Sequence, residues 1–573
     1  MGKAADAVPV SEGSQNQLRR DVAADAPWSL LPNDDPIAAQ RVACDAVSRF
    51  MQIDALDSRQ LDVLRALDRH ARRASTRLLR RYVEGNAQLQ VFHRRDWSAA
   101  LRLSQSFAEA YQLFWRQIRD AADDYWLPHA HHALFQLLHH RQVELLLRFI
   151  RYKKRIPSYW TEIHEIYKFA LAHDIARVDV AAGLSDTEPA KATTLEQRYI
   201  KILLLDALNS GQLSPREGLW ADAWLSRWCR ALRLQSRKEK GAVQVTEKGF
   251  VVDLDATDGL KRAVPSTAAN ALFLDTSPLK DLIARGLRSL EEAESRADTP
   301  DFAARAGQIA LLEKLGAIVA PTPARIKRRG ERDPVAMTVE GIAGFADVAQ
   351  VLRAQAMSNS AAGSMQDAAV EGITVSPLGA ERFSSPLPTG AGIDPGSIQL
   401  TEARVVVPRA WQVKDVSESG CRMRGQIEDL NQVIPGSLIA TRESAHAPWV
   451  VSVVRRFRRL MVDYVEIGVE YIGRRPRLVK LAVDGVFGPT VNGLDDANNR
   501  CIAALYLPPS EERPTMPIKT LLLPARYFKA ECTVTLLSAN ANYTLRLGRP
   551  IRQQFEFVCV PFTVLHKQVV SPA

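Results

Sequence analysis

The hydrophobic rhythm of this chain changes once, near residue 400, and that change divides what the two parts can fold into. Before it, apolar residues recur at three- and four-residue intervals. Leu134, Leu137, Leu138, Leu145, Leu146 and Phe149 do so, as do Tyr199, Ile202, Leu203 and Leu208, the spacing that stacks side chains on one face of a helix. After it the period is two. Trp411 and Val413 alternate with Gln412 and Lys414, Cys421 and Met423 with Arg422 and Arg424, and Val465, Ile467, Val469 and Tyr471 with Glu466, Gly468 and Glu470. Such alternation belongs to half-buried strands. Short apolar runs broken by Gly, Pro and Asn continue to the end, which is the pattern of a small β-barrel, or two. The expected fold class is therefore α+β multidomain: an irregular helical N-terminal region followed by a C-terminal antiparallel β-barrel with additional strands.

Local signals set the boundaries. Residues 1–35 are small and polar and read as a disordered tail. Residues 36–317 read as helical, with start signals at Ser214-Pro215-Arg216-Glu217, Ser277-Pro278 and Thr299-Pro300. In the first of these the serine can cap, the proline can occupy the first helical position and Glu217 can return to the cap amide. Extended runs at 250–254 and 271–274 suggest a small β insertion near 249–275. Residues 318–356 form a basic connector with room for a first barrel strand, and 357–399, rich in Ser, Gly, Ala and Pro, read as a flexible linker or insertion. The barrel is expected over 400–483, with additional strands packed on it over 484–573.

Composition narrows the class of protein. Of the 573 residues 46% are hydrophobic and 24% charged, as expected of globular domains. The net charge of +10 favours anionic partners, though it is mild for this length. Six scattered cysteines at no metal-finger spacing suit a reducing compartment. With no apolar leader and no membrane-length apolar run, the expected location is the cytoplasm.

The most informative string is Trp411-Gln-Val-Lys-Asp415-Val-Ser417-Glu-Ser-Gly420-Cys-Arg-Met423. Asp415, Ser417 and Gly420 match an Asp-x-Ser-x-x-Gly signature position for position. Pro435-Gly436-Ser437-Leu438, Val453-Val454-Arg455 and Glu466-Ile467-Gly468-Val469-Glu470 follow in order. Over residues 404–475 the chain resembles the PilZ domain family. The resemblance implies a β-barrel in a bacterial signalling protein and cyclic di-GMP as ligand rather than cofactor, held by Asp415, Ser417 and Gly420. The family's companion Arg-x-x-x-Arg segment is not found just before Asp415, where Arg404 and Arg409 are wrongly spaced. A correctly spaced pair, Arg328 and Arg332, lies in 325–340 and would complete the ligand site if the loose stretch after it is an insertion within the barrel. Arginine forks suit phosphate and the guanine O6/N7 edge. Ligand seated there would reorder the connector.

Other clusters carry less. The histidines of His129-Ala-His131-His132 and His139-His140 are interleaved with an apolar stripe, lack glutamate partners and are read as no metal site. The arginines Arg65, Arg69, Arg72, Arg73, Arg77, Arg80 and Arg81 could face phosphates, but without interleaved aromatics they argue for a solvated face or an acidic partner rather than nucleic acid. Asp253, Asp255 and Asp258 lack calcium-loop spacing. There is no Walker A loop, dinucleotide fingerprint, nucleophile elbow or His-Glu-x-x-His, so no catalytic residue is assigned and the chain is read as a non-enzyme. The expected function is a cyclic di-GMP effector coupled to a helical region that binds an unknown protein partner. The alternatives are a binding-defective adaptor and, further off, a nucleic-acid-associated protein.

Overall fold

The computed structural model describes residues 31–569 apart from 33, 54–55, 85–89, 122–124, 154, 182–191, 209–210, 237–248, 263–269, 297–301, 320–331, 362–368, 371–372, 375–405, 428–432, 462–463, 483–500, 510–517, 529–530, 538–540 and 555. They fall into two compact units, 1–286 with 314–324, and 287–313 with 325–573.

The first unit is helical. Helices α1 (Pro36–Phe50), α2 (Ser58–Glu84), α3 (Gln90–Ala121), α4 (Leu127–Phe149) and α5 (Tyr159–Ala172) lead to a short pair, β1 (Val180–Ala181) and β2 (Ala192–Thr193), and then to α6 (Leu195–Ala207) and α7 (Pro215–Trp228). Helix α3 packs against α1, α2 and α4, and α4 in turn against α6 and α7. The apolar stripe of α4 supplies the core, with Leu134, Leu137, Leu138 and Leu147 fully buried. Helix α7 starts where its signal placed it. Ser214 Oγ accepts from Glu217 N, and Glu217 Oε2 accepts from Ser214 N at 2.7 Å, which satisfies two amides that would otherwise lack partners.

The β insertion is a four-stranded sheet of β3 (Leu234–Ser236), β4 (Phe250–Asp253), β5 (Lys261–Arg262) and β6 (Ala271–Leu274), in the order β3-β6-β4-β5. Its Asp255 is spent on Lys168 and Asn270, and Asp253 accepts from Asp255 N. These acids shape a turn. Helices α8 (Ser277–Arg296) and α9 (Phe302–Val319) follow the two proline signals, and Thr276 Oγ1 donates to Val319 O at 2.8 Å, tying their ends together.

The second unit holds a closed six-stranded barrel in the order β10-β11-β14-β13-β12-β7, built from β7 (Asp333–Ala343), β10 (Arg409–Ser417), β11 (Gly420–Gln426), β12 (Leu438–Arg442), β13 (Val450–Arg459) and β14 (Tyr464–Arg474). Between β7 and β10 lie α10 (Phe345–Ala361) and the pair β8 (Ala369–Val370) and β9 (Ile373–Thr374). The first strand thus precedes a long insertion. The linker expected over 357–399 begins later than its composition suggested, because α10 runs to Ala361; residues 375–399 lie outside the described residues. Helix α10 exists because Phe345, Val348 and Ala349 bury one face in a core with Leu438, Val451 and Phe557. Its first amide, Phe345 N, donates to Glu556 Oε1, and Leu438 N donates to Glu556 Oε2 at 3.0 Å. Burial raises the Glu556 carboxyl, and these two amides oppose the rise.

Strand β15 (Arg477–Ala482), which the sequence assigned to the first barrel, instead pairs with β16 (Cys501–Leu507) and β18 (Thr533–Leu537). With β17 (Thr520–Pro524), β19 (Ala541–Leu547), β20 (Arg552–Gln553) and β21 (Phe557–Val569) they form a second sheet. Strand β21 joins both edges, pairing with β17 through 557–561 and with β19 through 562–569. The sheet thereby closes into a second barrel around Leu481, Leu521, Leu536, Tyr543, Leu545 and Val558. Local alternation marks a strand but not its neighbour, which is why β15 was misplaced. Among the described residues no helix is long and apolar enough to cross a membrane.

Candidate ligand site on the first barrel

Strand β10 begins with Trp411 and Val413 facing the core, 2% and 3% exposed. Strict alternation would send Asp415 inward as well. It does not go there, because the ladder slips by one residue at Lys414: Val413 pairs with Met423, but Asp415 pairs with Arg422. A bulge of this kind inserts an extra residue and turns the side chains beyond it to the other face. Asp415 and Ser417 therefore stand on the outside of the barrel, beside Arg422 and Gly420.

Two arginines cover Asp415. Arg332, immediately before β7, places Nη1 3.0 Å from Oδ1, and Arg422 on β11 places Nη2 2.6 Å from Oδ2. The β7–β10 register, Asp415 opposite Pro334, holds Arg332 there. Arg328 lies outside the described residues. Of the two arginines Arg332 is the more exposed, at 57% against 42%. Ser417 Oγ donates to Gly420 O at 3.0 Å, closing the β10–β11 turn. A Cβ on Gly420 would stand 2.0 Å from Val469 O, so the residue is glycine because β14 passes directly beneath it.

Acids alternate with arginines across this face. Glu466 takes Arg424 at 2.7 Å, and Glu470, opposite Gly420, takes Arg455 and Arg552, both at 2.6 Å. Beyond Arg422 the same row runs through Gly468 to the exposed Arg456. Gly468 leaves a gap without a side chain between two guanidiniums. Among the described residues, Arg332, Arg422, Arg424, Arg455, Arg456, Arg458 and Arg552 share this part of the barrel with Asp415, Glu466 and Glu470, a concentration of cationic groups suited to an anion. Arg422 was legible in the alternation of β11. Arg552 was not, because it comes from the second barrel.

For Glu470, burial works to raise the carboxyl, but the bonds and charges of Arg552 and then Arg455 outweigh it and pull it down to about 2 from 4.5. A carboxylate depressed on folding stabilises above its unfolded value, and that stability is lost as pH falls toward the folded one. The barrel should therefore weaken as pH drops from about 4.5 to about 2. Urea titrations across that window should show a smaller slope in Glu470→Gln, and an unchanged slope would refute the assignment.

Elsewhere, the histidine cluster of the helical unit is absorbed into packing. His140 Nε2 sits 3.2 Å from buried Asp68, and its ring stacks on Phe107 and Tyr111. Among the described residues no group of His, Cys, Asp and Glu is arranged to hold a metal ion.

The fold is that of an α+β multidomain protein with an antiparallel barrel that carries an anion-suited face. Residues 22–239, the helical region and under half of the chain, match the family model described as "Cyclic-di-GMP receptor FimW, N-terminal domain". No curated protein matches the chain.

Proposed function

We propose that the chain is a non-enzymatic receptor for cyclic di-GMP, with a PilZ-like first barrel as ligand module and the helical region as the part that engages another protein. The observation that carries this reading is the Arg332–Asp415 pair at 3.0 Å. An arginine from the Arg-x-x-x-Arg segment stands against the aspartate of the Asp-x-Ser-x-x-Gly signature, 83 residues later in the chain. The match of residues 22–239 to the N-terminal domain of a cyclic di-GMP receptor supports the same ligand from a separate part of the chain.

In this reading Arg332, being exposed, leaves Asp415 and forks onto the phosphate and the guanine O6/N7 edge. Arg328, in the same segment, would do likewise. Asp415 then accepts from guanine N–H groups while Arg422 keeps its carboxylate in place. Ser417 and Gly420 keep the turn low enough for the ligand to approach the backbone. The free row across Gly468 leaves Arg456 available to the far side of a dianion.

Isothermal titration of cyclic di-GMP into the full chain tests the proposal. Wild type should bind at micromolar concentration or tighter. Arg332→Ala and Asp415→Ala should each lose a charge-assisted bond of about 1.5–3 kcal/mol, a loss of about 10- to 150-fold in affinity. No heat from wild type would leave the barrel as a protein-binding adaptor.

A further inference from the structure

Helix α7 packs on the core with its small residues and keeps its largest ones at the surface. Ala221 and Leu225 are buried, and Gly218 lies so close to Phe149 that a Cβ there would stand 2.7 Å from that ring. Trp220, Trp224 and Trp228 follow at i, i+4 and i+8, which places them along one side of the helix, and all three are only half-buried. The other six described tryptophans, Trp97, Trp115, Trp126, Trp160, Trp411 and Trp449, are at most 6% exposed. On this one helix folding leaves in water an apolar area that it removes elsewhere for the same residue type.

The tryptophans have basic neighbours. Arg216 and Arg227, four residues before Trp220 and seven after it, share its side of the helix, and Arg230 and Arg233 follow the helix end; all four are exposed. Among the described residues none of the four pairs with a carboxylate. Arg216 rests on the Trp220 ring, 5.0 Å from its centroid. The two acids of α7 are engaged elsewhere: Glu217 accepts from Ser214 N and Lys314, and Asp222 from Lys201 and Gln142. Positive charge without a counter-ion thus lies beside apolar surface without a cover.

We propose that this side of α7 docks an acidic polypeptide segment, whose carboxylates pair with Arg216, Arg227 and Arg230 and whose aliphatic side chains cover the three indoles. Charge complementarity selects the acidic partner, and tryptophan with arginine is the composition of the residues that dominate interface energetics. The ring geometry selects a polypeptide over single-stranded nucleic acid. Trp224 and Trp228 stack on each other at 5.6 Å, and Arg216 covers Trp220. Each indole therefore has one face taken, and the row offers edges and shelves for aliphatic groups rather than a run of open platforms for bases. This docking role rests on the reading of the helical region as the part that engages another protein. The peptide measurements below contain no cyclic di-GMP, so either reading can fail without the other.

The test is fluorescence anisotropy on the full chain with two labelled peptides of equal charge, one of glutamates and leucines, the other of glutamates and serines. A labelled single-stranded DNA serves as the third probe. The leucine peptide should bind about tenfold more tightly than the serine peptide, and both should weaken with salt. Arg227→Glu with Arg230→Glu, both at exposed positions, should weaken both peptides by about tenfold or more. Arg41→Glu with Arg49→Glu, exposed on α1, changes the net charge equally and should leave binding within about twofold. Trp224→Ser should erase the leucine advantage while the arginines stay. Its fold is checked by circular dichroism, and the arginine pairs test the site whether or not it folds. Equal weakening by the two charge-reversed pairs, or equal binding of the two peptides by wild type, would overturn the proposal. So would a wild type that binds neither peptide. Single-stranded DNA that binds more tightly than either peptide and is lost in Arg227→Glu with Arg230→Glu would overturn it too, assigning the face to nucleic acid.

Discussion

Gly420→Ala should destabilise the second unit by about 3 kcal/mol or more. The added methyl would stand 2.0 Å from Val469 O and 3.0 Å from Val469 C. These are backbone atoms, fixed by the β11–β14 ladder that pairs Gly420 with Glu470 and Cys421 with Val469. No rotamer relieves the clash, so the strands must part, and overpacking of this kind costs about 1–3 kcal/mol before ladder bonds are lost. In a unit of this size that lowers the melting temperature by about 6–12 °C. Gly468→Ala is the matched control. Its methyl would meet Arg456 Cβ at 3.5 Å, an ordinary contact, so folding should be unchanged while the gap between Arg422 and Arg456 narrows. Thermal melts of the two variants should separate them; equal melting temperatures would refute the close approach of β14.

Asp68→Ala should cost the helical unit about 3–5 kcal/mol, the usual result of removing one partner from a buried ion pair. Asp68 is 1% exposed and accepts from Arg72 at 2.9 Å and from Tyr111 Oη at 3.2 Å, with His140 Nε2 also at 3.2 Å. Burial alone would raise its carboxyl, but the charges of Arg72 and His140 prevail and hold it well below the usual range. Alanine would leave Arg72 buried without this counter-ion, with Gln136 still accepting from it. The carboxylate's contribution is full at neutral pH and disappears only in strong acid, since its folded value is the depressed one. Urea unfolding at pH 7 measures the loss. A double-mutant cycle with Arg72→Ala should return strong coupling, and additive effects would show that the pair is not the source.

The signature at the candidate site was legible because it is local. Asp415, Ser417 and Gly420 lie within six residues, and their order reflects one tight turn. The arginine that joins them was recognisable by spacing alone, and its distance along the chain left open whether it could reach. The loose composition after residue 357 raised the idea of an insertion within the barrel. It concealed α10, whose helical face is stabilised by burial against the two barrels and by Glu556 at its first turn, neither of which leaves a trace in the helix's own sequence.

By itself the sequence determined the class of each half. Helical periodicity and capping residues are properties of neighbours in the chain, so α4, α7 and the two proline-led helices could be read directly. It also determined which residue types could recognise an anion. Tertiary structure alone decided how the strands close. Strand β7 completes a barrel whose other strands begin at residue 409, and β15 leaves that barrel for the next one. It alone decided the face of Asp415 as well. Alternation from Trp411 points the carboxylate into the core, and only the slip at Lys414 against β11 turns it outward to Arg332 and Arg422. Register is a relation between strands distant in sequence, set by the pairing that satisfies both backbones, and one strand's pattern cannot specify it.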